Sequence, residues 1–321
     1  MDLPNDLKYS IEQLAVGVPH GKLLETSADI SSKYKNESGQ GKRLVKEKAE
    51  TIVYAIVRMP ATYGAVSSAI NYLLEMVDSA NIKTVLDVGS GTGTAVWAAY
   101  ECIPGIETVT CLEREPEMIE VAKTLMQSMP LKDEVTWLQG DMSTFDFSGQ
   151  YDLVIASYSL NELAEADRMK LIEKLWSCTN QYLLIVEPGT PTAFEHMKII
   201  RECLIRQGAS VVAPCPHNAE CPLPAGDWCH FTSRVSRTKL HKLLKGGEAP
   251  FEDEKYSYLV FSRAQSGKKK SRILRHPVIE SGRITLQLCT QSSSIETRAI
   301  TKKDKVLFKT AHKSKCGDTF L

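Results

Sequence analysis

Hydrophobic positions change their period twice along the chain. Up to residue 77, apolar side chains recur every three or four residues, the spacing of one helix face, over 6–16, 32–59 and 65–77. Pro60 stops or kinks the second of these stretches, because a proline inside a helix lacks the amide that the ladder needs. From residue 82 to 213 the pattern becomes short apolar, β-branched runs alternating with helical stretches. Strands are expected at 82–88, 108–112, 135–139, 151–157, 182–186 and 210–213, and helices at 94–100, 116–129, 165–178 and 192–207. A further run at 256–262 reads as an antiparallel strand that finishes the sheet. Past residue 263 only short β-like runs remain, at 284–288 and 306–308, between turn residues.

Strand–helix alternation of this kind predicts an α/β fold with a mostly parallel sheet covered on both faces. The N-terminal helices then shield one face. Ligands in such sheets gather outside the carboxyl ends of the strands, where Gly89, Glu113, Asp141, Ser157 and Glu187 stand. Arg58 and Tyr63 flank the proline break close to the first strand; they could face substrate or RNA, though a buried tyrosine is the plainer reading.

With 321 residues the chain has room for one large domain with appendages, or for two small ones. The expected division is a helical region over 1–80, an α/β domain over 81–263 with an insertion at 214–231, and an extension over 264–321. Lys plus Arg and Asp plus Glu both number 39, so whole-chain charge selects no partner. Its distribution does: residues 264–315 hold thirteen Lys and Arg against three acids, a net of +10, and include the run Gly267-Lys-Lys-Lys270. Positive charge gathered at one end suits phosphate contacts. The opening Met1-Asp-Leu-Pro-Asn-Asp6 has no basic n-region and no apolar h-region, and an Arg-rich transit pattern is absent, so a cytoplasmic chain is expected. No apolar run approaches ~20 residues, so no membrane span is expected. Nine cysteines in such a chain suggest a reducing compartment, where clustered thiols bind metal more often than they pair.

The first strand runs into Asp87-Val-Gly89-Ser-Gly91-Thr-Gly93, and a helix opens at Thr94. Glycines at alternate positions let the backbone turn tightly against a ligand, and the helix N-terminus presents free amides to it. A dinucleotide fingerprint needs glycine or alanine at the sixth position of G-x-G-x-x-G. Counting from Gly89 or Gly91 that position is Thr94 or Val96, so neither register fits. The D-x-G-x-G-x-G spacing instead resembles motif I of class I S-adenosylmethionine-dependent methyltransferases. The resemblance implies that Glu113 binds the ribose hydroxyls and Asp141 the adenine amino group. Ser90, Met142 and Ser157 complete the implied cofactor set, with Asp87, Gly89, Gly91 and Gly93.

The insertion reads Cys215-x₅-Cys221-x₇-Cys229, set among prolines and glycine. Such turns let one loop wrap its thiols round a single centre. The intervals exceed the C-x₂₋₄-C of zinc fingers, and thiolates hold either zinc or an iron–sulfur cluster. Cys289, His217, His230 and Cys316 are the candidates for a fourth ligand. A nucleophilic Cys215 is the competing reading; it would need a lowered pKa beside the cofactor rather than two neighbouring thiols.

Glycine loop, cysteine insertion and basic tail with Leu288-Cys-Thr290 together resemble the methyltransferase-like family associated with the small ribosomal subunit. The likeness extends through Ser32-Lys-Tyr-Lys35, Arg58-Met-Pro-Ala-Thr-Tyr63, Val186-Glu-Pro-Gly-Thr190 and Lys315-Cys-Gly-Asp318. It implies S-adenosylmethionine as cofactor and a [4Fe-4S] cluster held by Cys215, Cys221, Cys229 and Cys289, with zinc the alternative that spacing leaves open. It also implies a small-subunit or ribosomal RNA partner met through the basic extension, and neither membrane nor DNA. Cys316 departs from the family pattern, where tryptophan is expected before Gly-Asp.

Turnover is harder to read. Amino-group methyltransferases carry (Asp/Asn)-Pro-Pro-(Tyr/Phe) after the fourth strand, whereas this chain has Ala156-Ser-Tyr-Ser-Leu-Asn-Glu162. Ser157, Tyr158 and Asn161 could bind an acceptor and Glu162 could act as a base, or the same residues could cap the following helix. Methyl transfer depends largely on aligning two reactants, so a base is not obligatory. Three functions therefore stand: an RNA methyltransferase, an assembly factor that keeps the fold, cofactor site and cluster without turnover, and a methyltransferase for a protein or small molecule.

Overall fold

The structure, a computed structural model, describes residues 1–37, 45, 47–77, 81–265 and 270–321. Four helices come first: α1 (Asn5–Leu14), α2 (His20–Glu37), α3 (Lys48–Val57) and α4 (Met59–Leu74). The expected helix over 32–59 is divided between α2 and α3, and its residues 38–44 and 46 lie outside the described residues. A capping box opens α3, with the Glu47 amide donating to Glu50 Oε2 at 3.0 Å. Pro60 does not end a helix. It sits in the first turn of α4, where the missing N–H has no partner to lose, and the break falls at Arg58.

The α/β body follows as β1 (Thr84–Val88), α5 (Thr94–Cys102), β2 (Thr108–Glu113), α6 (Pro116–Leu125), β3 (Val135–Gln139), β4 (Tyr151–Ser157), α7 (Glu165–Ser177), β5 (Thr179–Pro188), α8 (Pro191–Arg206) and β6 (Ser210–Ala213). Next come β7 (Phe231–Ser236), α9 (Lys239–Lys245) and β8 (Phe251–Ser262). Among the described residues the sheet runs β3-β2-β1-β4-β5-β8-β6, with β7 also on β8. Alternation along each strand sends side chains to opposite faces. Val85, Leu153 and Ile155 join a core with α4 and α5, while Leu86, Val88, Val154 and Ala156 join a second core under α7 and α8.

The sheet is mixed rather than mostly parallel. Four pairings are parallel, and β8 pairs antiparallel with β5, β6 and β7. The cause is the length of β8: its second half fills the gap between β5 and β6, and its first half carries β7 in a hairpin. Helix α4 lies tightly on that hairpin, since a Cβ on Gly64 would stand 2.4 Å from Val235 Cγ1.

The last residues form β9 (Ser271–Ile273), β10 (Val278–Glu280), β11 (Arg283–Cys289), β12 (Ile295–Thr301), α10 (Lys305–Lys313) and β13 (Thr319–Phe320). The strands make a second sheet, ordered β10-β11-β9-β13 with β12 on β11, around Ile273, Ile284, Leu286, Leu288 and Ile300. The run 306–308, expected as a strand, lies inside α10. Asp304 caps that helix by accepting the Leu307 amide at 3.0 Å, and Leu307 and Phe308 turn onto the small core. Residues 267–269 of the lysine run lie outside the described residues. No described helix is long and apolar enough to cross a membrane.

Candidate cofactor cleft and thiol pocket

All three loop glycines have positive φ: +72° at Gly89, +52° at Gly91 and +75° at Gly93. Their surroundings differ. A Cβ on Gly89 would lie 2.7 Å from Ser159 Cβ, so this position is glycine for packing as well as for conformation, whereas one on Gly93 would clash only with the flexible tip of Met126, 2.2 Å from its Cε. A Cβ on Gly91 would meet nothing within 4 Å; it would project into an open cleft. The loop is anchored from behind by the amides of Gly89 and Ser90, which donate to Leu112 O at 2.9 and 3.1 Å.

The cleft encloses about 120 Å³. It brings together Gly89, Gly91, Glu113, Asp141, Met142, Ser157, Tyr158 and Glu162 from four strand ends and the turn after β4. Asp87, Ser90, Gly93 and Asn161 are not on its wall. Asp87 lies behind the loop, fully buried, and neither carboxyl oxygen has a hydrogen-bond partner among the described residues. Burial lifts its pKa to about 7 against the pull of the nearby Ser90 hydroxyl, and the negative charge of Glu113 adds to the rise.

Glu113 accepts the Gly91 amide on one oxygen and the Glu115 amide on the other, both at 2.8 Å. Its pKa still rises, because burial outweighs these bonds. Asp141 is shifted down, chiefly by Ser143, whose hydroxyl and amide both donate to Oδ1, and further by Arg114. Glu162 rises to about 7, through burial first and then through Glu113 and Glu115, against the pull of Arg114. Among the described residues the cleft is therefore acidic, with Arg114 as the cation on its wall.

The other residues after β4 are engaged with protein. Tyr158 holds a positive φ of 56°, and its hydroxyl donates to Glu254 Oε1 at 2.9 Å. Arg58 pairs with the same carboxylate at 3.6 Å, so it faces β8 rather than open solvent. Asn161 donates to Glu187 Oε2 at 2.6 Å, and its Oδ1 lies 2.8 Å from His196 Nδ1. Glu187, pushed up to about 8 by burial, also accepts the Leu160 amide at 2.9 Å. Tyr63 is buried, with its pKa raised to about 12 by that burial.

Cys215, Cys221, Cys229 and Cys289 line one small, largely apolar cavity of about 40 Å³ between α8, the insertion, β8 and the second sheet. His217 joins them, with Nε2 3.4 Å from Cys289 Sγ, while His230 stacks on Trp228 with ring centroids 5.1 Å apart. Two buried arginines back the cavity: Arg201 donates to His217 O and Ala219 O, and Arg272 to Pro214 O and Gly317 O. Burial and the neighbouring thiols raise Cys229 far above the usual thiol range, raise Cys289 to about 12, and raise Cys221. Cys316 lies outside the cavity wall, its Sγ 3.2 Å from Leu274 O. Among the described residues no three His, Cys, Asp or Glu side chains are grouped to hold a metal ion.

A family model described as mitochondrial small ribosomal subunit Rsm22 matches residues 48–321. The chain belongs to this family. Human mitochondrial ribosome assembly protein METTL17 is 25% identical over 288 residues, covering 84% of this chain and 62% of that protein. The Rsm22-cox11 tandem protein 2 of Schizosaccharomyces pombe is 21% identical, covering 92% of this chain and 46% of its own length. This chain thus spans about half to three fifths of these relatives. Among solved structures, magnesium protoporphyrin IX methyltransferase from Synechocystis, with bound SAH, is 14% identical with a TM-score of 0.43, covering 74% of this chain and all of that one.

Sequence reasoning missed several residues of this Rsm22-family cleft. Val45 and Tyr54 reach it from the N-terminal region, and Arg114, Glu115, Met118, Ser159 and Leu163 complete the wall. Arg114-Glu115 directly follows the strand-end acid, and that adjacency could have indicated them. Tyr54 carries no such sign, because only the packing of α3 brings it to the strand ends.

Proposed function

We propose that the protein is a small-ribosomal-subunit assembly factor of methyltransferase fold, holding S-adenosylmethionine in the cleft and a [4Fe-4S] cluster among Cys215, Cys221, Cys229 and Cys289. The observation that carries the cofactor reading is Asp87: a buried carboxylate without a protein partner, behind a glycine loop whose middle residue faces open space. Burying a polar group unpaired is costly, and a cationic ligand seated beside the loop relieves that cost. Glu113 and Asp141 would meet the ribose and the adenine, with Met142 and Ser157 lining the seat, while Ser90 stands behind it and ties the loop to Asp87 O. S-adenosylmethionine supplies an electrophilic methyl group. Calorimetry with this cofactor tests the reading, and an absence of heat at millimolar ligand overturns it.

For the thiol cavity the support is chemical. Cys221, Cys229 and Cys289, whose ionisation is disfavoured by burial and then by neighbouring thiols, become ligands together with Cys215 once a cation offsets the repulsion. Arg201 and Arg272 suit a cluster of net negative charge. Metal and sulfide analysis of anaerobically purified protein decides between iron–sulfur and zinc. The proposed RNA contact is the basic extension, and the proposed compartment is a reducing one, the cytoplasm; all nine cysteines are free thiols.

A second reading, methyl transfer to small-subunit RNA, has one observation in its favour. Glu162 stands on the cleft wall with a pKa near 7, suited to taking a proton at neutral pH. Against it, Tyr158 and Asn161 already spend their polar groups on Glu254, Glu187 and His196. Small subunits incubated with methyl-tritiated cofactor separate the two: labelled RNA, lost in Glu162→Gln, favours transfer.

A further inference from the structure

Helix α10 presents three lysines at four-residue intervals, Lys305, Lys309 and Lys313, all exposed. At about 1.5 Å of rise per residue their roots stand roughly 6 Å apart along one ridge. The opposite face is spent on the core through Leu307, Phe308 and Ala311. At the N-terminal end of the ridge, Lys302 and Lys303 extend it. The Lys302 amide donates to Gly282 O at 3.3 Å, and Arg283 pairs across strands with Thr301, so Arg283 joins the same corner. Of the other arginines of the second sheet, Arg275 pairs with Asp227 and Arg298 with Glu296, and Arg272 is buried against the carbonyls of Pro214 and Gly317. Among the described residues, the ridge side chains and Arg283 pair with no acid. Asp304, the acid between them, caps the helix.

We propose that this ridge is a docking surface for the phosphate backbone of an RNA helix, read by shape and charge rather than by base. The inference rests on the small-subunit reading above and specifies where and how the RNA is met. Unpaired cations at regular pitch are what a phosphate track requires. Single-stranded RNA is held by exposed aromatic platforms, and Phe308, the phenyl ring of α10, packs inward. A membrane surface needs a free apolar face on the helix, but that of α10 is already covered, leaving Val306 exposed. Protein interfaces are depleted in lysine and centre on buried anchors, which the ridge lacks.

The test uses the full chain and the triple variant Lys305→Ala, Lys309→Ala, Lys313→Ala, with circular dichroism to show that both fold alike. Affinity for a 20-base-pair RNA duplex, for an oligouridine of equal length, and for phosphatidylcholine–phosphatidylserine vesicles is followed against salt. Wild type should prefer the duplex, and the variant should bind it roughly tenfold or more weakly, with the log–log salt slope reduced by about 2–3. A variant that binds duplex as wild type does, with an unchanged slope, overturns the ridge while leaving RNA binding by the protein intact. A wild type that binds neither RNA overturns the underlying reading as well. Preference for oligouridine, or ridge-dependent binding to vesicles but not RNA, also overturns the proposal.

Discussion

Tyr158 Oη donates to Glu254 across 2.9 Å although the residues are 96 positions apart. One end of this bond lines the cofactor cleft and the other belongs to β8. Three residues further along the same strand, Ser257 Oγ donates to Cys229 O at 2.7 Å, within the thiol pocket. A single strand thus braces both candidate sites, and Arg58 closes the arrangement from the N-terminal helices.

Removing that hydroxyl should cost stability without emptying the core. Tyr158→Phe keeps the ring and leaves Glu254 to Arg58 alone. The expected loss is about 1–2 kcal/mol, measured as a shift in urea midpoint at constant slope. An unchanged midpoint would mean that the bond contributes nothing net.

Two glycine substitutions should separate binding from folding. Gly91→Ala pays the left-handed penalty of about 1–2 kcal/mol and puts a methyl into open cleft space, so the fold survives and cofactor binding measured by calorimetry weakens. Gly89→Ala brings Cβ to 2.7 Å from Ser159 Cβ at a φ of +72°. The greater loss should appear in its thermal midpoint.

Asp87 makes stability fall as pH rises. Its folded pKa of about 7 lies above the unfolded value near 4, so between those limits the folded state binds more protons than the unfolded. The contribution is complete below about pH 4 and lost as pH climbs through 7. Asp87→Asn should flatten this part of the profile in denaturant titrations at pH 5, 6, 7 and 8. A profile as steep as wild type would place the dependence elsewhere, with Glu162 and Glu187 the next groups to substitute.

Anaerobically purified wild type should be brown, with a broad absorbance near ~400 nm. Cys221→Ser should bleach it and raise protease sensitivity in the insertion, because metal binding and local folding are coupled. Cys316→Ser should retain the colour, since its thiol turns to Leu274 O and stands off the cavity wall. A colourless, zinc-containing wild type would refute the cluster.

Much of the cleft was legible because its parts are local. An acid ending a β-branched run, glycines at alternate positions and an acid at the next strand end all follow from backbone geometry over a few residues, and Gly89, Gly91, Glu113 and Asp141 do meet at one place. Strand β7 and the first half of β8 were missed, though Phe231, Ser233 and Val235 alternate inward as a half-buried strand should. Its neighbours are a cysteine loop and the short α9, and six residues of alternation do not stand out there. The run 306–308 was misread for the opposite reason: three apolar-rich residues do not distinguish strand from helix, and Asp304 as cap decides the matter.

The chain by itself determines the order of strands and helices from residue 82 to 213, the glycine loop that needs positive φ, and the concentration of positive charge past residue 263. These depend on neighbours within a turn or two. Tertiary structure alone decides that β8 lies between β5 and β6, that Cys289 reaches the cavity of Cys215, Cys221 and Cys229, and that Arg58 and Tyr158 share Glu254. It also decides that burial raises the pKa values of Asp87 and Glu162 to about 7. The reason is common to all of these: each depends on which distant surfaces exclude water from one another, and burial of that kind has no expression in local spacing.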